Sequence, residues 1–183
     1  MARLSEHYKK EVVPMLKRDL GLKNVMEVPR VLKVVVNVGI GKRGKEADHQ
    51  KKVGALLERI VGQKPSPRPS RISIAGFKMR EGSVVGMRVT VRGPRMYDFL
   101  ERLTTVVFPR MRDFRGISVK GFDGRGNYSW GMTEVNAFSE ATQEDIELGQ
   151  PLEITVVTSA GTNVAGERLL RGLGFPFQDT LIK

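Results

Sequence analysis

The stretch VVVNVGIGKRGKE, residues 34–46, has the spacing with the most direct chemical meaning in this sequence. An apolar run ends there in three glycines that match G-x-G-x-x-G: Gly39, Gly41 and Gly44. In dinucleotide-binding proteins such a loop lets the backbone approach a pyrophosphate at the N-terminus of the next helix. Lys42 and Arg43 add positive charge, so the first hypothesis is a nucleotide-dependent enzyme.

The residues around the glycines do not support that hypothesis. A dinucleotide site needs a helix that begins inside the motif, but the helical pattern here begins only near Asp48. The acid expected to bind the ribose would be Glu58, which lies inside that helix. Lys42 is followed by Arg43, so the ending of a P-loop is also missing. We therefore favour a basic turn that contacts phosphates, and keep the enzyme as an alternative.

No other arrangement of residues indicates catalysis or metal binding. The sequence has no cysteine, and its two histidines, His7 and His49, lie in different predicted helices. It contains neither G-x-S-x-G nor H-E-x-x-H, and the acids of 140–147 lack the spacing of a ligand set. We expect no enzymatic activity, no metal, no cofactor and no small-molecule substrate.

Polar residues on predicted strands indicate a different chemistry, the binding of RNA. Arg88, Thr90 and Arg92 alternate with apolar residues, so one face of their strand is basic and polar. Such a face can contact phosphates, ribose hydroxyls and base edges. Asn37 interrupts the apolar run VVVNV, and Gln63 follows a predicted helix end. We expect Asn37, Gln63 and Thr90 to face RNA; the alternative is that the two amides bond nearby backbone groups.

Hydrophobic patterns predict the elements that hold these residues. Amphipathic segments predict helices: 5–20 with a kink or late start at Pro14, 48–61, one opened by Pro94, and 163–171. Apolar or alternating runs predict strands: 31–38, 84–92 and 151–159. Residues 109–131 are expected to be irregular. The resulting fold class is α+β, an antiparallel or mixed sheet with helices packed on one face.

The distribution of charge indicates the class of partner. The 183 residues carry a formal net charge of +11, which favours a nucleic acid first and a membrane surface second. Residues 59–80 are basic without an acid, whereas 126–167 are acidic without Lys or Arg, so we expect two different partners. We expect one domain over 1–183 with a protruding basic loop at about 70–83. Without a spanning segment or signal peptide, we expect a cytoplasmic protein with no membrane partner.

The sequence resembles the bacterial ribosomal protein five family of the large subunit. Separate motifs carry the resemblance nearly end to end: VPRVLKVVVNVGIG, GQKPSPRPSRISIAGFKMREG, PRMYDFLERL, GRGNYSWG and LLRGLGFPF. The resemblance implies a mostly antiparallel sheet with helices packed on one face, whose open face and adjoining loops bind 5S rRNA. It also implies a structural protein that helps attach 5S rRNA to the subunit, beside 23S rRNA and neighbouring large-subunit proteins. The segment SPRPSR is richer in proline than the family pattern.

The resemblance also implies roles for individual residues. Contacts with rRNA fall on Asn37, Gln63 and Thr90, with Arg92 as a phosphate contact. Lys42 and Arg43 join this rRNA-binding set from the reading of the basic turn above. The loop RISIAGFKMREG resembles the family's loop that contacts P-site tRNA, which implies these contacts: Arg71, Phe77, Lys78, Met79 and Arg80.

The resemblance further implies a second surface that meets small-subunit ribosomal protein thirteen, itself basic, in an intersubunit bridge. Our candidates for that bridge are Arg110, Arg112, Asp113, Glu134, Glu140, Glu144 and Asp145. Opposite potentials favour docking, which supports the acidic part of this set. Three hypotheses remain: a structural ribosomal protein, a free RNA-binding or chaperone protein with the same surface, and a nucleotide-dependent enzyme.

Overall fold

The computed structural model describes residues 3–41, 46–77, 79–112, 114–133 and 135–178. The chain divides into two units. The first is built from 1–34, 92–130 and 155–183, and the second from 35–91 and 131–154.

Five strands form one antiparallel sheet and confirm the α+β fold class. The strands are β1 (Val31–Gly39), β2 (Ser66–Pro69), β3 (Val84–Val91), β4 (Tyr128–Met132) and β5 (Leu152–Thr158). Their order across the sheet is β2-β3-β1-β5-β4. In β1 the buried residues Val34, Val36 and Val38 alternate with partly exposed ones, so the strand has one core face and one open face.

Proline shapes the N-terminal helix of the first unit. The segment runs as α1 (Arg3–His7), a π-helical turn (Tyr8–Val12) and α2 (Val13–Asp19). Pro14 has no N–H, and in a regular α-helix its ring would meet the carbonyl four residues earlier. The wider turn before it accommodates the proline, so the kink expected at Pro14 takes the form of a π turn.

The same arrangement recurs in the second long helix of the first unit. Here α4 (Pro94–Arg102) leads through a π-helical turn (Leu103–Val107) into α5 (Phe108–Arg110), which contains Pro109. The stripe expected to be buried is confirmed: Met96, Phe99, Leu100, Leu103 and Val107. Together with α7 (Asn163–Gly172), these helices enclose the core of the unit.

Aromatic side chains supply much of that core. Their ring centroids lie 4.8 to 6.5 Å apart in successive pairs: Phe108, Phe114, Phe122, Tyr128, Trp130, Phe175 and Phe177. Offset and edge-to-face contacts at these distances are favourable beyond the area they bury. The pairing of the 175–178 segment with Ile117 holds the end of this cluster in place, since Ile117 N donates to Pro176 O over 2.8 Å.

The second unit packs α3 (Ala47–Val61) over β3. The expected apolar stripe of this helix is fully buried: Val53, Leu56, Leu57 and Ile60. A Cβ placed on Gly54 would lie 3.7 Å from Met87 Sδ, which puts the middle of the helix directly against the strand. In the part of the chain that the structure describes, no helix has both the length and the apolar composition needed to cross a bilayer.

Strands β2 and β4 and helix α6 (Gln143–Leu148) were not predicted. The expectation that 109–131 is irregular is wrong at its end, because β4 begins at Tyr128. Residues 126–167, the acidic segment, contain α6, which the sequence pattern does not predict. All three elements are short, β2 contains two prolines and β4 contains Gly131, so their periodicity is too brief to identify them.

Candidate RNA-binding face

The second unit presents polar side chains on the open face of its strands. Val36, Val89 and Ile154 are buried on the core face of β1, β3 and β5. Alternation therefore places the following residues on the opposite side, and we call them the polar face: Asn37, Arg88, Thr90 and Glu153. The three strands are neighbours in the sheet, so the side chains converge on one surface.

Asn37 bonds a side chain rather than the backbone, unlike the alternative considered from the sequence. Its Nδ2 donates to Glu153 Oε2 over 3.1 Å. This bond orients the amide and directs its oxygen as an acceptor, suited to a ribose hydroxyl or a base amino group. Glu153 was missed as a site residue, although its place between Leu152 and Ile154 already indicated an outward direction.

The remaining residues expected to contact rRNA occupy different places. Gln63 follows α3 and is half-buried; the helix ends at Gly62 in a left-handed conformation, φ 74°, whose N–H bonds Glu58 O at 2.8 Å. Arg92 is exposed just after β3 and belongs to the first unit. The basic turn residues Lys42 and Arg43 lie outside the described residues.

The basic loop expected at 70–83 is a closed hairpin. The pairing of β2 and β3 continues beyond the strands, as Ser70 N donates to Ser83 O at 2.8 Å and Gly82 N to Ser70 O at 3.0 Å. Farther out, Ile74 and Met79 exchange two backbone hydrogen bonds of 3.1 and 3.2 Å. Residues 74–80, the hairpin tip, therefore have a defined backbone base with a short 3₁₀ turn, Ala75–Phe77, above it.

The residues expected to contact tRNA lie in or beside this tip. Arg71 and Arg80 are exposed, and Met79 is partly exposed. Phe77 lies in the 3₁₀ turn, while Lys78 falls outside the described residues. Ile72 is 69% exposed, so the hairpin combines positive charge with an uncovered apolar side chain. Such a surface can meet both a phosphate and the face of a base or sugar.

Asp145 has a structural position within the acidic segment. It is 4% exposed, and Arg59 Nη2 donates to its Oδ1 at 2.7 Å, which ties α6 to α3. Thr142 donates to its Oδ2 from both backbone N and Oγ1, at 2.9 and 2.7 Å, as part of a capping box. Burial opposes ionisation of this carboxyl, but these hydrogen bonds and the nearby guanidinium outweigh burial and lower its pKa.

The other bridge candidates do not share that environment. Glu144 is exposed on α6, and Glu140 is partly exposed and accepts a bond from Ser139 Oγ at 3.0 Å. Arg110 and Arg112 are exposed in the first unit. Asp113 and Glu134 lie outside the described residues.

Comparison with known proteins decides the family. A model described as "Ribosomal protein L5" matches residues 24–80, and a second model, which describes the C-terminus of the same ribosomal family, matches residues 84–177. The chain belongs to the ribosomal protein L5 family. Large ribosomal subunit protein uL5 of Francisella tularensis subsp. novicida is 47% identical over 178 residues, 97% of this chain and 99% of the relative. The uL5 protein of Natranaerobius thermophilus is 49% identical over 177 residues, with the same coverage.

Membership of the L5 family settles the question raised by the glycine motif. The family consists of structural ribosomal proteins rather than enzymes, so the nucleotide-dependent enzyme is excluded. In this chain the apolar half of VVVNVGIGKRGKE belongs to strand β1, and Asn37 is its outward polar residue. The first match covers β1, α3 and most of the hairpin, and the second begins at β3.

Proposed function

We propose that this chain binds 5S rRNA through its polar face and thereby helps attach 5S rRNA to the large ribosomal subunit. As a member of the L5 family, it is a structural constituent of that subunit in the cytoplasmic ribosome. The observation that carries the proposal is the oriented Asn37–Glu153 pair, set beside Thr90 and Arg88 on an open strand face. Hydrogen-bonding groups with one adjacent cation suit a folded RNA, whose shallow groove exposes ribose hydroxyls.

We include further RNA contacts in the proposal, and the cations among them would bind phosphates. Arg92 is exposed beyond the end of β3, and Gln63 is partly accessible after α3. Lys42 and Arg43 belong to the same proposal as basic residues of the turn after β1. We extend the proposal to 23S rRNA and to neighbouring proteins of the large subunit, because a net charge of +11 exceeds what one small RNA patch requires.

The hairpin tip is proposed to contact P-site tRNA. Two reciprocal backbone bonds between Ile74 and Met79 hold its base, so the exposed guanidinium groups of Arg71 and Arg80 project from a defined support. Phe77 and Lys78 would complete the contact as an aromatic and a cation. A preorganised hairpin lowers the entropic cost of holding a large ligand.

The acidic segment is proposed to contact small-subunit ribosomal protein thirteen. The exposed acids beside α6 are suited to a basic partner, and Ile146, 42% exposed on the same helix, offers an apolar contact. The proposed contact residues are Arg110, Arg112, Asp113, Glu134, Glu140 and Glu144. We leave Asp145 out of this set, because its carboxylate is buried and bonded within the unit.

The test is the affinity of the full chain for bacterial 5S rRNA and for an unrelated structured RNA of equal length, over a salt series. We expect 5S rRNA to stay bound at salt concentrations that release the competitor, because base and ribose hydrogen bonds depend less on salt than phosphate contacts. A variant with Asn37→Ala, Gln63→Ala and Thr90→Ala should lose this preference, since each lost hydrogen bond costs about 1 kcal/mol.

Two results would contradict the proposal. Equal and steeply salt-dependent binding of both RNAs by the wild-type chain would favour a free RNA-binding or chaperone protein. An unchanged preference in the triple variant, with an unchanged melting temperature, would exclude these three residues as the specific contact.

A further inference from the structure

Strand β2 adds a second arginine to the open side of the sheet. Residues that face each other on antiparallel strands project their side chains to the same face. In this hairpin Ser66 faces Arg88, Pro67 faces Met87 and Arg68 faces Gly86. Met87 is buried against α3, so Pro67 lies on the core side and Arg68 lies on the open side with Arg88.

The register also makes the two arginines near neighbours across the strand pair. Arg68 is the diagonal neighbour of Arg88, a relation that separates Cα atoms by about 7–8 Å and lets long side chains meet one ligand. Gly86 stands directly opposite Arg68 and contributes no side chain between them. Both arginines are exposed, and within the described residues neither forms an ion pair.

Prolines at every second position of β2 favour this pairing register with β3. Ser70 N donates to Ser83 O, and Ser70 O accepts from Gly82 N, just before β3 begins. Hydrogen-bonding positions alternate along an antiparallel strand, so the backbone nitrogen and carbonyl of Pro69 point away from the partner strand. The register against β3 shifts between Arg68 and Pro69, but the extra residue there is Val85 of β3, so the alternation along β2 continues to Pro67 and Pro65. A proline there loses no ladder bond, whereas a shift by one residue would place prolines at positions that must donate to β3. The proline-rich SPRPSR therefore fixes the face on which Arg68 projects.

We infer that Arg68 and Arg88 form a phosphate-binding pair that extends the polar face toward the edge of the sheet. Guanidinium groups bind phosphate oxygens in bidentate fashion, and two of them side by side can hold one phosphate or bridge two. This inference rests on the proposed binding of 5S rRNA and adds an electrostatic contact beside Asn37 and Thr90. The expected ligand is therefore the RNA backbone rather than a base.

The experiment measures the salt dependence of 5S rRNA binding by the full chain with Arg68→Gln and Arg88→Gln. Each phosphate contact removed makes the slope of log K against log salt shallower by about one unit, so the double variant should lose about two. A second variant, Arg68→Lys with Arg88→Lys, keeps the charges and should restore most of the slope. Circular dichroism and melting temperature check that both variants fold.

The matched control removes the same charge from the opposite side of the unit. Lys51→Gln with Lys52→Gln alters two exposed lysines of α3, the helix that covers the core face of β3. The slope of log K against log salt for this control should stay within about half a unit of the wild-type slope, because these lysines lie away from the proposed ligand. An equal loss in the control would attribute the effect to net charge alone and overturn the inference.

The outcomes also separate this inference from the proposed function. If wild-type chain prefers 5S rRNA and the arginine variant keeps the wild-type slope, the phosphate pair is wrong and the proposed function stands. If wild-type chain shows no preference for 5S rRNA, both are overturned.

Discussion

At the scale of single residues, two adjacent acids of α6 illustrate how position decides role. Asp145 and Glu144 carry the same charge, and sequence reasoning placed both in the intersubunit bridge. Asp145 faces inward, caps the helix and pairs with Arg59, while Glu144 is exposed. The difference arises because only the third residue after Thr142 can complete the capping box.

Asp145→Ala should lower the free energy of unfolding by about 2 kcal/mol, from the loss of the cap and of the bond to Arg59. Glu144→Ala is the matched control and should change it by less than about 0.5 kcal/mol, because an exposed first-turn acid gains only the helix dipole. Urea denaturation measures both. Equal effects of the two substitutions would contradict the structural role of Asp145.

The same carboxylate makes stability depend on pH in acid. Its pKa is lowered in the folded chain from the ordinary 3.8, so its contribution is complete above that value and is lost as pH falls through the folded pKa. The stability gap between wild type and Asp145→Asn should therefore narrow below pH 3.8. A gap that stays constant through this range would mean that the charge of Asp145 does not contribute.

At the scale of elements, the hairpin tip can be replaced without changing the polar face. Just below the tip the two antiparallel arms already form a bonded pair, since Glu81 N donates to Ser73 Oγ at 2.9 Å. A two-residue Asn-Gly turn matches the twist of such a pair and closes a hairpin by itself. The hairpin tip can thus be replaced while the pairing of β2 with β3 is kept.

Replacing residues 74–80 by Asn-Gly should leave the affinity for 5S rRNA unchanged, because the polar face lies on β1, β3 and β5. Ribosomes assembled with this variant should bind P-site tRNA more weakly, which filter binding of tRNA measures. The matched control is a chain in which only Gly76→Ala is changed, since a Cβ there would meet no atom within 4 Å. Loss of 5S rRNA binding would show that the tip has been assigned the wrong partner.

The sequence was most informative where periodicity was long. The stripes of α3 and α4 were predicted residue by residue, as was the alternation of β3, because many apolar positions repeat at one period. The six residues of α6 and the five of β4 offered too few repeats. The partners of Asn37 and Asp145 lie 116 and 86 residues away, and one sequence carries no signal for such pairings.

At the scale of the whole molecule, charge is divided along the chain. The net charge is +11, yet the stretch 126–167 contains no Lys or Arg. An acidic stretch of this length repels RNA, so it lowers the affinity of the chain for RNA. Its presence therefore indicates a second partner that is basic. The proposed partner, small-subunit protein thirteen, is basic, and opposite potentials speed its association with the acidic stretch and favour docking.

Glu140→Gln with Glu144→Gln should therefore move the two affinities in opposite directions. Binding to small-subunit protein thirteen should weaken several-fold, mainly through a slower association rate, while binding to 5S rRNA should stay equal or tighten slightly. Biolayer interferometry with each purified partner measures both. The control, Glu27→Gln with Glu58→Gln, removes two exposed acids outside the acidic segment and should leave the protein contact unchanged. Equal weakening by both double variants would mean that only net charge matters and that this segment does not form the bridge.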